Sequence, residues 1–113
     1  MDIFGHPTGR LIGKRPGAQF DLSEICKVAA DHGVMIEVNA QPERLDLDDV
    51  SVHAALAAGV RLTIGTDAHA PAELRFMRWG VDQARRGWAT ACDVANTRTL
   101  RSLLPLLHGA RRR

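Results

Sequence analysis

The chain has 113 residues, of which 45% are hydrophobic and 25% charged, which bounds it to one domain with a single core and excludes a disordered segment. No apolar run approaches the ~20 residues that span a bilayer, and the N-terminus lacks the basic-then-apolar pattern of a secretion signal, so the expected compartment is the cytoplasm. A net charge of +2 does not mark a nucleic-acid binder by itself.

The first element is a short strand over 2–5, Asp-Ile-Phe-Gly, which delivers the chain to Gly5-His6-Pro7-Thr8-Gly9-Arg10. Asp21 then has the chemistry of an N-cap for a helix over 22–32, with Leu22, Ile25, Cys26, Val28 and Ala29 forming the i, i+3, i+4 stripe of an amphipathic helix. Gly33 fits the C-terminal cap. A second strand is expected over 34–39, ending in Glu37-Val38-Asn39. A second helix follows over 47–58, with Val50, Ala54, Ala55 and Leu56 facing inward and Gly59 stopping it. The third strand is expected over 60–65 and runs into Thr66-Asp67-Ala68-His69. Beyond it lie a helix over 72–86, a break at Gly87-Trp88-Ala89, and a last helix over 99–107 that Pro105 shortens or kinks. Trp79 and Trp88 read as packing residues, and Cys26 and Cys92 as buried reduced thiols.

Strand, helix, strand, helix, strand is the pattern of about three parallel strands joined by right-handed crossovers, an α/β fold. The first strand has nothing ahead of it, so its edge is expected to stand open. In such folds functional groups collect at the carboxyl ends of the strands. Here those ends carry His6, then Glu37 and Asn39, then Asp67 and His69, with Arg10 and Arg44 in the adjoining loops. Residues two apart on extended backbone point to one side, so Asp67 and His69 can converge on one ion, and a mixed oxygen and nitrogen donor set suits Zn²⁺, Mn²⁺ or Fe²⁺. His6, Asp67 and His69 are the expected metal ligands. Arg10 and Arg44 either clamp a phosphate or pair with Glu43 or Asp46. Glu37 requires a partner such as Arg61 or Arg10, or a metal, because an unpaired buried carboxylate is costly. His32, His53 and His108 read as structural or solvated. Arg85, Arg86, Arg98, Arg101 and Arg111–Arg113 read either as a phosphate-facing cluster or as a solvated face and tail.

The blocks Gly5-His6-Pro7-Thr8-Gly9-Arg10-Leu11, Glu37-Val38-Asn39-Ala40-Gln41-Pro42-Glu43-Arg44-Leu45-Asp46-Leu47, Thr66-Asp67-Ala68-His69 and Gly80-Val81-Asp82-Gln83-Ala84-Arg85-Arg86-Gly87-Trp88, with Asn96-Thr97 after them, resemble the last motif blocks of the polymerase and histidinol phosphatase (PHP) domain, as attached to bacterial family-X DNA polymerases. The resemblance spans nearly the whole chain in order. It implies the C-terminal portion of a distorted (βα)₇ barrel, residues 1–113 being a partial domain, with a metal centre at the strand ends. The implied activity is metal-dependent phosphoester hydrolysis, of the 3′–5′ exonuclease and DNA 3′-end-processing kind. By the resemblance His6, Asp67 and His69 match metal ligands, Arg10, Asn39 and Arg44 match substrate-binding positions, and Glu37 supports the site.

The family's His-x-His motif and bridging glutamate belong upstream of these blocks, and this sequence contains no His-x-His. Activity is therefore expected only when the missing portion is supplied in cis or in trans, with a homodimer through the open strand edge as one route. The expected partners are DNA or another phosphoester, with no membrane. The alternative is a non-catalytic remnant that binds DNA or protein.

Overall fold

The computed structural model describes residues 1–107; His108 and Arg111–Arg113 lie outside the described residues. Three parallel strands form one sheet in the order β1 (Ile3–Phe4), β2 (Met35–Asn39), β3 (Leu62–Gly65). Ile3 and Phe4 pair with Met35 and Ile36, and Ile36 through Asn39 pair with Leu62 through Gly65. Helix α1 (Leu22–His32) connects β1 to β2, and α2 (Asp49–Ala57) connects β2 to β3. A 3₁₀ segment, Pro71–Phe76, leads into α3 (Met77–Arg86), and a short α4 (Leu100–Leu103) follows two further 3₁₀ turns.

The first crossover helix is specified at both ends by its own sequence. The Asp21 side chain accepts the Glu24 N–H, and Gly33 takes the left-handed conformation at φ 66° that closes the helix. In α2 the start lies two residues later than expected, because Asp48 is the cap and accepts the Ser51 N–H at 2.8 Å. Val52 and Ala55 are buried, whereas Val50 and Ala54, expected inside, face solvent. Apolar residues run around most of this helix, so periodicity alone cannot choose its inner side. Leu47, expected in its first turn, instead plugs the core ahead of it and is fully buried.

The expected helix over 72–86 is divided at Met77. Pro71 has no N–H to offer and Ala70 has no side chain to cap with, so the chain first winds as a tight turn in which the Glu73 N–H reaches the Ala70 carbonyl at 3.0 Å. Pro105 shortens the last helix as expected, α4 ending at Leu103 before the 3₁₀ turn Leu104–Leu106.

The core lies on the helix-covered side of the sheet, where Ile36, Val38 and Leu62 are completely buried against Leu47, Val52 and Ala55. Glycine lets α3 approach this side closely. A Cβ at Gly80 would run into Ile64 and Ala40, and one at Gly87 into Val52. Two expectations about packing are corrected. Cys26 is buried but Cys92 is exposed. Trp79 and Trp88 are not core residues; they are 41% and 78% exposed, with Trp88 edge-on to the His53 ring at 5.2 Å. No helix among the described residues is long and apolar enough to cross a membrane.

The outer edges of the sheet differ. Along β3 the Asn96 side chain imitates a neighbouring strand: its Oδ1 accepts the Ile64 N–H at 2.8 Å and its Nδ2 donates to the Ile64 carbonyl at 2.9 Å. Beside β1 the chain instead leaves an apolar groove lined by Met1, Phe4, Ile25, Val28, His32 and Val34.

Candidate active site at the carboxyl rim

Because all three strands run the same way, the residues that follow them share one rim. The segment 40–46 folds back on the end of β2, where Asn39 and Asp46 exchange two backbone hydrogen bonds of 2.6 and 3.2 Å. From there three side chains tie the rim loops to one another.

Asp46 is 0% exposed, and its carboxylate accepts the N–H groups of Thr8 (3.0 Å) and Gly9 (2.8 Å). A buried carboxylate held by backbone donors fixes the loop after β1, since removing it would leave those N–H groups without partners. Arg10 returns the tie: its Nε donates to the Arg44 carbonyl at 2.7 Å and its Nη2 to the Leu45 carbonyl at 2.6 Å. Gln41 reaches the loop after β3, its Nε2 lying 2.9 Å from the carbonyls of both Thr66 and Asp67 and 3.0 Å from Glu73 Oε1. Neither arginine forms the expected pair with Asp46.

Glu37 sits at the centre. Of the partners expected for it, Arg61, Arg10 or a metal, neither arginine is found there; its carboxylate accepts the His6 N–H at 2.9 Å and Asn39 Nδ2 at 3.3 Å. The neighbouring strands make room for the carboxylate by being bare. A Cβ at Gly65 would collide with Glu37 Oε2, and one at Gly5 would lie 3.6 Å from Oε1. Asn39, 1% exposed, donates onward to Asp67 Oδ2 at 3.3 Å and accepts the Gln41 N–H on its Oδ1 at 3.0 Å. The backbone of His6 and the carboxylate of Asp67, on loops at opposite sides of β2, are thus joined through Glu37 and Asn39.

The three expected ligands are all exposed. His69 Nδ1 lies 2.8 Å from the Asp67 carbonyl. A carbonyl only accepts, so Nδ1 carries a proton in this contact, which leaves Nε2 as the ring nitrogen turned to an outside partner, the usual arrangement behind a metal-binding histidine. His6 and Asp67 both have positive φ, 24° and 51°, as does Leu45 at 41°. Non-glycine residues in that region cost about 1–3 kcal/mol each and collect at functional sites. The donor set has a gap: among the described residues no three His, Cys, Asp or Glu side chains come together as a complete metal cage.

Of the expected substrate-binding residues, the structure commits Asn39 to orienting Asp67 and Arg10 to bracing the 41–46 loop. Arg44 is different. Its Nη1 is buried with no hydrogen-bond partner among the described residues. Sequence reasoning missed the bracing by Asp46 and Gln41. In sequence Asp46 reads only as a partner for arginines, and nothing around Gln41 points to carbonyls 25 and 26 residues away.

No family model matches the chain. The chain is 42% identical over 103 residues, 91% of its length, to the DNA polymerase/3′-5′ exonuclease PolX of Bacillus subtilis (strain 168), and it spans 18% of that protein.

Proposed function

We propose that this chain is part of a PHP-type, metal-dependent phosphoesterase associated with a family-X DNA polymerase, acting on DNA 3′ ends. The similarity to a polymerase and 3′-5′ exonuclease over 91% of the chain carries this reading. The exposure of His6, Asp67 and His69 after the ends of their strands is in keeping with it. In this reading His6, Asp67 and His69 are part of the ligand set for Mn²⁺ or Zn²⁺, with Fe²⁺ as a third candidate, and the remaining ligands come from polypeptide outside this chain, in cis or in trans. A bound divalent ion would lower the pKa of water and offset charge developing on the phosphoryl group. The chain's own residues do the positioning. Asn39, which also donates to Glu37, holds the Asp67 carboxylate. The Asp67 carbonyl sets the His69 tautomer. Arg44, whose buried Nη1 has no hydrogen-bond partner among the described residues, would meet a phosphate oxygen once the guanidinium turns outward.

Paramagnetic broadening tests this reading even for weak binding. On adding Mn²⁺ to the ¹⁵N-labelled chain, the amide signals of residues 6, 67 and 69 should broaden first, and Asp67→Ala should abolish the effect. Broadening that is absent there, or that survives Asp67→Ala, refutes the metal reading. A second reading, a non-catalytic module binding DNA or protein, draws on the incomplete cage; it predicts no rim broadening together with salt-sensitive DNA binding that survives the loss of His6, Asp67 and His69.

A further inference from the structure

The side of α3 turned away from the core carries a pattern that the rim does not explain. Gly80, Gln83 and Ala84 face inward, while Arg78, Trp79, Asp82, Arg85 and Arg86 are all exposed at the i, i+1, i+4, i+7 and i+8 positions of one stripe. Arg75 and Leu74, both exposed, continue it onto the preceding 3₁₀ segment. Four arginines therefore share this side with one aspartate. Glu73, the other acid nearby, lies against Gln41. Arg75 and Arg78 make no ion pair among the described residues; their guanidinium groups lie over the Phe76 and Trp79 rings, 5.5 and 4.7 Å from the centroids. A tryptophan of this size left 41% exposed beside unneutralised cations forfeits burial that it could have had.

The stripe also has a definite end. Gln41 contacts Glu73 at the start of the 3₁₀ segment with the same Nε2 that holds the Thr66 and Asp67 carbonyls, so the arginine row begins at the rim and leads away from it. From Arg78 to Arg86 is about 12 Å along a helix rising ~1.5 Å per residue. That is room for about three stacked nucleotides at ~3.4 Å each.

We propose that this stripe is a track for single-stranded nucleic acid, with a base stacked on Trp79 and backbone phosphates on Arg75, Arg78 and Arg85, so that the strand's end arrives at the rim. Aromatic stacking combined with arginine contacts to phosphate is how proteins hold single strands without reading sequence. The proposal rests on the reading of the rim as a phosphoesterase site for its direction, but not for its binding surface.

Fluorescence anisotropy with a labelled thymidine oligonucleotide, single-stranded or annealed to its complement, tests it across a salt series. The single strand should bind more tightly than the duplex. Trp79→Ala should weaken single-strand binding about tenfold, Trp79→Phe should recover most of that, and Trp88→Ala should leave it unchanged. Arg78→Ala and Arg85→Ala should each reduce the slope of log affinity against log salt by about one. Equal affinity for an abasic strand, or binding indifferent to Trp79 and the two arginines, overturns the track. Asp67→Ala separates the two ideas. If strand binding depends on the stripe and the rim shows no Mn²⁺ broadening, the track stands and the phosphoesterase reading fails.

Discussion

The two sides of this small domain are held by different physics. Behind the sheet, Ile36, Val38 and Leu62 pack against Leu47, Val52 and Ala55, and α3 comes close enough that glycine is required at 80 and 87. At the rim there is little apolar burial. Its loops are held by hydrogen bonds that Asp46 accepts from backbone N–H groups and that Arg10, Gln41 and Asn39 donate to carbonyl and carboxylate oxygens, and three non-glycine residues there take positive φ. The packed side supplies stability, which the rim spends on holding strained backbone in one arrangement. Substitutions should separate the two accordingly.

The largest loss of stability should come from the packed side. Leu62→Ala, at a position with no exposed surface, should cost about 2–5 kcal/mol in urea unfolding, because the side chain leaves a cavity its neighbours cannot fill. Asp46→Ala should cost about 1–3 kcal/mol by orphaning the Thr8 and Gly9 amides. Its distinctive sign is local: hydrogen exchange at those two amides should accelerate more than at the centre of β2. Equal acceleration everywhere would mean that Asp46 belongs to the core and not to the rim. Asp21→Ala should remove about 1 kcal/mol by uncapping α1, with no change at the rim. The smallest effect is chemical. Burial raises the pKa of the Cys26 thiol, so a thiol reagent at neutral pH should label exposed Cys92 first and Cys26 only on unfolding.

The contrast also accounts for what the sequence makes legible. The bounds of α1 could be read to the residue, because its cap and stop are local signals, but its expected apolar stripe is only half inside: Cys26 and Ala29 are buried, while Ile25 and Val28 are exposed. The strands and their parallel order follow from the alternation of elements, and the gathering of His6, Glu37, Asn39, Asp67 and His69 follows from the rule of strand ends. The inner side of α2 could not be read, since Val50 and Val52 are equally apolar and only the position of the Asp48 cap decides between them. Trp79 and Trp88 read as packing residues, and both are exposed. At the rim the roles of Asp46, Gln41 and Arg10 depend on contacts between residues 25 to 38 positions apart, to backbone atoms that every residue possesses. No local pattern encodes such a partner. Arginine at position 10 reads in sequence as a phosphate clamp or an ion-pair partner and acts in the fold as a brace on the Arg44 and Leu45 carbonyls.

The proposed metal site requires Glu37 and Asn39 to bring the loop carrying His6 and the loop carrying Asp67 and His69 to one place. The most direct measurement is anomalous scattering from a crystal of the chain soaked in MnCl₂. The account predicts a manganese peak within coordinating distance of the Asp67 carboxylate and His69 Nε2, on the side facing His6. A peak elsewhere on the surface with the rim unaltered, or His69 turned so that Nε2 meets the Asp67 carbonyl, would contradict it.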